Sequence, residues 1–350
     1  MGKAIMDYSL DQKIGQMVMV GFRGTEVHKD SPIIEAIRNG HLGGVWLTDK
    51  DSPMGETIGN IKSAQQLKKL IVDLRSAAQV PLIVSIDAEG GQVVRLKEKY
   101  GFPKTFSAFY LGQKNDLQLT YSQSRQIAEI LSELGINFNF SPVLDLNRNP
   151  DNPALSLKER CYSDDPEIVW QHALKVIEAH HEKGIKCCLK HFPGHGSARH
   201  DSHVGFVDVT DTWSTDEISV YQKFIERGLA DAVLTAHVFH KQFDDRYPAT
   251  LSRNIITGLL REKMGFRGLV ISDDMNMGAI QNNYSYEESV ELAIGAGVDI
   301  LLKSNVSQYQ PDTAQLTISI IKKLIHEGRI SEERIEQSFQ RIKKVKDTFR

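Results

Sequence analysis

GLVISDD (268–274) is a short apolar run of β-favouring residues that stops on two acids. AVLTAHV (232–238) repeats the plan and closes around His237, and IKCCLKHF (185–192) closes around Lys190 and His191. Further back, NFNFSPVLD (137–145) ends on Asp145 and PLIVSID (81–87) on Asp87. VMVGF (18–22), GGVWL (43–47) and VDILL (298–302) bring the set to eight. Amphipathic stretches lie between the runs. LQLTYSQSRQIAEILSELG (117–135) carries apolar residues at helical spacing and ends in Gly135, and EIVWQHALKVIEAHHEKG (167–184) ends the same way in Gly184. Strands that alternate with helices pair in parallel. Eight such units predict an α/β protein with a closed (β/α)8 TIM-type barrel. An open doubly wound sheet is the alternative, but no G-x-G-x-x-G follows an early strand.

The rest of the chain fits that plan. A length of 350 residues suits one barrel with extra loops. TAQLTISIIKKLIHEGRISEERIEQSFQRIKKVKDTF (313–349) reads as two final helices around Gly328, beginning near residue 311. With no low-complexity segment or Pro/Ser-rich linker, residues 1–350 read as a single domain. Hydrophobic residues make up 41% and charged residues 25%, and the net charge is −3, which gives no general pull toward nucleic acid or anionic membrane. No apolar run reaches the ~18 residues that span a bilayer. The opening MGKAIMDYSLDQKIGQMVMVGF lacks the pattern of a signal peptide. Three cysteines, Cys161, Cys187 and Cys188, are an odd number, two of them adjacent, which argues against a disulfide framework and for a reducing compartment. The expected location is cytoplasmic, with an extracytoplasmic one left open should a leader have been removed. The expected state is a monomer or weak oligomer.

A barrel gathers all strand C-termini on one face, so Asp87, Asp145, Lys190, His191, His237, Asp273 and Asp274 should converge there. Asp often caps the helix after such a loop, but Lys and His are not N-cap residues, so capping does not explain the set. Neighbouring strand residues point to opposite sides, so only one of Asp273 and Asp274 should face the pocket, and alternation does not say which. The irregular stretches 148–166 and 193–215 read as long loops on the same face. The second contains HFPGHGSARHDSHVG, with His191, His195, His200 and His203, and with Asp201 two residues before His203. A metal site is one reading, but Pro193 and Gly194 interrupt the spacing from His191 to His195, and no metal is expected. A solvated His-rich loop is another. The third is an Asp–His dyad in which Asp201 orients and charges His203, suited to moving a proton in both directions near neutrality.

KHFPGHGSARHDSH (190–203) resembles the K-H-F-P-G-H-G…D-x-H signature of glycoside hydrolase family 3 β-N-acetylglucosaminidases. KIGQMVMVGF (13–22), GGVWL, SIDAEGGQVVRL (85–96), FSPVLDLN (140–147), LTAHV…PATLS (234–252) and GFRGLVISDDMNMGAI (265–280) extend the resemblance, in order, from about residue 10 to 305. It is strongest to the single-domain bacterial enzymes of peptidoglycan recycling. The resemblance implies Asp273 as nucleophile and Asp201–His203 as a mobile acid/base dyad. It implies Asp87, Arg95, Arg160, Lys190 and His191 as the grip on a terminal N-acetylhexosamine. Three departures stand out. Gln92 replaces the Arg of E-G-G-R-V, Cys161–Tyr162 replaces Ser–Phe, and TDKD (48–51) differs from the usual residues after G-G-V. These should alter the pocket rim more than the chemistry.

A retaining glycosidase needs a nucleophile on one face of the sugar and an acid on the other, usually two carboxylates. The resemblance implies an exception in which an imidazole is the acid. It also implies a small glycan with terminal N-acetylglucosamine as partner, and no cofactor. The rivals are a phosphorylase, a substrate-assisted hexosaminidase, a β-glucosidase of the wider family, and a non-catalytic glycan-binding protein on the same fold.

Overall fold

The structure is a computed structural model that describes residues 8–50, 59–306 and 308–349. Residues 1–7 of the opening stretch and Asp51 of TDKD lie outside the described residues. All eight runs form strands: β1 (Val18–Gly21), β2 (Gly44–Leu47), β3 (Ile83–Ile86), β4 (Phe138–Asn139), β5 (Lys186–Phe192), β6 (Ala232–Thr235), β7 (Leu269–Ile271) and β8 (Leu301–Lys303). They pair in parallel in chain order, and β8 returns to β1 through Val18↔Leu301, Met19↔Leu302 and Val20↔Lys303. The β7–β8 seam is a single bridge, Ile271↔Ile300. Around it Ser272 N–H donates to the Ile300 carbonyl (3.0 Å) and Leu302 N–H to the Ser272 hydroxyl (2.9 Å). A (β/α)8 barrel results.

The run 137–145 yields only two strand residues. Pro142 has no N–H for a ladder, and pairing resumes as an isolated bridge, Val143↔Lys190. The helices follow the capping chemistry of the sequence. Asp116 accepts from Gln118 and Leu119 N–H at the start of the helix Leu117–Leu134, and Gly135 ends it at φ 87°. The helix Pro166–Glu182 starts at a proline capped by Asp165, and Gly184 beyond it has φ 74°. His180 of this helix is buried and reaches Asn139 of β4 (3.0 Å).

The two C-terminal helices, Thr313–His326 and Glu332–Lys346, turn at Gly328 as expected. The second is tied to the barrel's lower end, just before β8, by the fully buried Asp299. That carboxylate accepts from Arg261, Arg341 (3.0 Å), Ser338 (2.8 Å) and the Val270 amide (3.0 Å). Among the described residues no helix is long and apolar enough to cross a membrane.

Removing one partner of a buried ion pair leaves the others uncompensated, at a cost of about 3–5 kcal/mol. Asp299→Ala is therefore expected to lower the free energy of urea unfolding by about that amount. A loss of a few tenths would show that the arginines find solvent instead.

Candidate active site

The strand ends converge as the barrel requires. Lys190 at the end of β5 is 2% exposed, and its ammonium lies 2.8 Å from Asp87 and 2.7 Å from Glu89. Arg160, from the loop 148–166, grips both Glu89 oxygens, Nε at 2.9 Å and Nη2 at 2.7 Å. Arg95 reaches Asp87 at 3.2 Å and lies over the Trp46 ring at 5.6 Å, while the Trp46 indole N–H also donates to Asp87 (3.2 Å). Buried charges persist when they are paired and hydrogen-bonded, and this cluster pairs them all. Burial pushes the Asp87 carboxyl up, but Lys190 and Arg95 outweigh it and hold it well below the usual range. Glu89 is lowered in the same way by Arg160 and Lys190. Burial favours neutral Lys190, and Asp87 and Glu89 override it and raise its pKa.

His191 follows Lys190, yet both side chains serve the site. A register shift between Leu189 and Phe192 lets consecutive residues do this. His191 Nδ1 is 2.6 Å from Asp145 Oδ2, and its Nε2 is 3.3 Å from Arg160. Asp145, fully buried, also accepts from the backbone amides of His191 (3.1 Å) and His195 (2.7 Å).

At the end of β7 the two acids separate. Asp274 accepts from the Ser304 amide (2.8 Å), the Asn276 amide (3.0 Å) and the Ser304 hydroxyl, so it pins the loop after β8. Asp273 is half-buried, and its carboxylate accepts from the Asp274 amide (2.8 Å). Burial pushes the Asp273 pKa up; His237, His191 and His203 outweigh that and keep it below the ordinary value. Asp273 is thus the acid left available at the mouth.

The loop after β5 holds the dyad. His203 Nδ1 is 2.6 Å from Asp201 Oδ1, which also accepts the His203 amide (2.9 Å) in a local turn. The His203 side chain is 58% exposed. The hydrogen bond to Asp201 is the main cause of a raised His203 pKa, opposed by burial and reinforced by the charge of Asp273. The loop docks on the residues after β7. Gly278 N–H donates to the His203 carbonyl (3.0 Å) and Ala279 N–H to Ser202 (3.2 Å). A Cβ at Gly278 would stand 2.3 Å from the Val204 carbonyl, so the contact needs glycine.

All eight sequence-selected residues therefore lie in two linked groups: Asp87, Arg95, Arg160, Lys190 and His191 in a buried cluster, and Asp201 and His203 on the loop whose charge Asp273 feels. Sequence reading missed Glu89, which the E-G-G turn disguised as a hairpin acid. It placed Asp145 among the converging strand ends without giving it a role, and it missed Asp49. Asp49 is buried, takes Lys97 at 2.5 Å and lies 3.8 Å from Arg95. The departures fall differently from expectation. Cys161 and Tyr162 are buried, the second stacked on His172 at 5.3 Å, so their side chains pack beneath the loop and do not form a rim. Among the described residues no three His, Cys, Asp or Glu side chains are grouped to hold a metal ion. A cleft of about 550 Å³ beside Phe106 and Tyr110 contains none of the cluster.

A (β/α)8 barrel with paired charges at its strand ends beside an available carboxylate is an arrangement compatible with glycosidase chemistry. Residues 9–345 match the glycosyl hydrolase family 3 N-terminal domain, and the chain belongs to that family and is a glycosidase. It is 32% identical over 291 residues to a β-hexosaminidase of Tolumonas auensis, covering 82% of each chain. A structure of a family 3 β-N-acetylglucosaminidase from Paenibacillus superposes with a TM-score of 0.88 at 34% identity, over 98% of this chain and 63% of that one. A β-N-acetylhexosaminidase from Beutenbergia cavernae gives 0.86 at 27%, over 97% and 99%.

Glu89 titrates lower in the folded than in the unfolded chain. Its stabilisation is complete above the unfolded value of about 4.3 and is lost as pH falls toward the folded value. In urea midpoints taken from neutral to acid pH, Glu89→Gln should start lower than the unmutated protein and decline less below about pH 4.5. Parallel declines would mean that Glu89 is not ionised in the cluster.

Proposed function

We propose that this chain is a retaining exo-β-N-acetylglucosaminidase that works through a covalent glycosyl–Asp273 intermediate. The observation that carries this reading is the half-buried Asp273 carboxylate at the end of β7, held below its ordinary pKa, together with the His203 imidazole 2.6 Å from Asp201, a contact that raises the His203 pKa. The names of the relatives support the N-acetylhexosamine part of it.

In the first step an Asp273 oxygen forms a bond to the anomeric carbon as the glycosidic C–O bond breaks. The Nε2 proton of His203 passes to the leaving oxygen. In the second step a water attacks the anomeric carbon, its proton returns to Nε2 and Asp273 leaves. Asp87, Arg95, Arg160, Lys190 and His191 hold the sugar in this reading, and Glu89 keeps Lys190 and Arg160 charged and aimed. Hydrogen bonds that tighten as charge develops contribute in the transition state. The substrate class carried forward from the sequence resemblance is peptidoglycan fragments inside the cell, a setting consistent with three buried free cysteines. Hydrolysis is preferred to phosphorolysis, and product analysis in millimolar phosphate separates them. A β-glycosyl 1-phosphate as main product would replace water by phosphate as the acceptor.

A 5-fluoro-N-acetylglucosaminyl fluoride should label Asp273 and leave Asp274 unmodified, since Asp274 is committed to Ser304. Peptide mapping reads the site, and a label on Asp274 would overturn the assignment.

His203→Ala should cost about 10²–10⁴-fold in kcat/KM on substrates with poor leaving groups, and little on nitrophenyl glycosides that need no protonation. In Asp201→Asn the carboxylate that raises the His203 pKa is gone. The alkaline limb of the pH–rate profile should then move to lower pH, and an unmoved limb would remove Asp201 from the mechanism.

A further inference from the structure

Glu217 opens the helix Asp216–Glu226 after β5 and is 1% exposed. One oxygen, Oε2, accepts from the Leu146 amide (3.4 Å), and the Ser197 amide is oriented toward the carboxyl so that it favours the charged form. The other, Oε1, is buried without a hydrogen-bond partner. Among the described residues no lysine or arginine forms an ion pair with it. The charge of Arg148 reaches it, but Arg148 is bound to the neighbouring Asp216 at 2.6 Å. Tyr221, one turn along the same helix, and Cys161 of the loop 148–166 are neutral groups within its field. Asp145 is the facing charge, and it is an anion.

The place is as notable as the charge. Leu146 follows Asp145 on the β4 loop, and Ser197 belongs to the β5 loop that leads to the dyad. The two loops touch closely. A Cβ at Gly196 would meet the Leu146 carbonyl at 1.8 Å, and one at Gly194, where φ is 125°, would meet the Glu217 side chain at 2.6 Å. From this loop His195 Nε2 contacts the Ser202 hydroxyl (3.1 Å), between Asp201 and His203. We propose that Glu217 is a positioning residue that works as a neutral acid, clamping the β4 and β5 loops together beneath Asp145. It acts through those loops and touches no reacting atom.

The chemistry follows from placement. A second anion behind Asp145, unpaired and dry, would be costly, so the carboxyl keeps its proton. Burial, followed by the charge of Asp145, pushes it up to about 8. Above that pH two buried carboxylates face each other across the loop junction, and the junction should loosen.

The sign is fixed by linkage. Between about 4.3 and 8 the folded chain holds a proton that the unfolded chain has released, so stability falls as pH rises through that window, by up to about tenfold in the folding constant per pH unit. Glu217→Gln is an isostere of the protonated acid: its oxygen keeps the Leu146 amide and its NH2 replaces the unpartnered oxygen. The full chain carrying E217Q should show a shallower fall of stability with pH than the unmutated protein. It should keep kcat/KM near neutrality and lose the steeper of two components from the alkaline limb, leaving the His203 component. The unmutated protein should also show, at neutral pH, an infrared band of a protonated carboxylic acid that E217Q lacks. Equal stability slopes, no such band, or an E217Q chain that does not fold would each overturn the proposal. The stability and infrared readouts do not depend on the glycosidase reading, whereas the rate profile rests on it. If the first two succeed and the third fails, the clamp stands and the mechanism assigned to the site is what fails.

Discussion

The barrel mouth depends on Lys190. Its ammonium lies between Asp87 at the end of β3 and Glu89 of the following hairpin, and Arg160 closes the arrangement from a loop far along the chain. None of these charges would be tolerable alone at this depth, because desolvation costs several kcal/mol per ion. Together they satisfy one another, and the β3, β5 and 148–166 segments must meet for that to happen. The cluster therefore selects the loop arrangement while leaving a set of donors and acceptors fixed in direction, which is what hydroxyl recognition needs.

The chemistry-bearing groups follow a different electrostatic plan. Three histidines hold the Asp273 pKa below its ordinary value, and among the described residues no lysine or arginine forms an ion pair with it. A permanent cation in contact would hold the carboxylate as an ion pair and blunt it as a nucleophile. Histidine partners lower its pKa without that commitment. The dyad is more exposed than the grip, and proton exchange with an incoming water needs that access. One side of the site is paired and dry, and the other reaches solvent.

Sequence patterning revealed the frame because strand runs and helix caps are local. Each of the eight runs became a strand, and Gly135 ended its helix in the left-handed region. Convergence of the strand ends was also legible, since closure demands it. What local pattern could not supply was the partner of each residue. Asp273 and Asp274 were indistinguishable until Ser304, thirty positions on, claimed Asp274. Glu89 looked like part of a turn because its two cations come from residues 160 and 190. Glu217 sits in a helix's first turn, where an acid ordinarily serves the helix dipole, and only tertiary packing reveals that it is buried. Arg95 and Arg160 were selected by family likeness alone, for the same reason.

Asp145 joins the two halves. It accepts from the ring and amide of His191, which touches Arg160 of the grip, and from the amide of His195, whose ring reaches Ser202 beside the dyad. A shift of the β4 loop would thus move the Arg160–His191 side and the Asp201–His203 side together. Burial raises the Asp145 pKa, but His191 and the His195 amide hold it down, so the junction stays anionic under the conditions in which the grip is charged. An anion with its lone pairs directed at three donors has a narrow range of allowed positions, narrower than apolar packing would impose. The placement of the His203 loop relative to the Lys190 cluster is then set by hydrogen-bond geometry at one buried carboxylate, even though His203 itself is among the more exposed groups of the site.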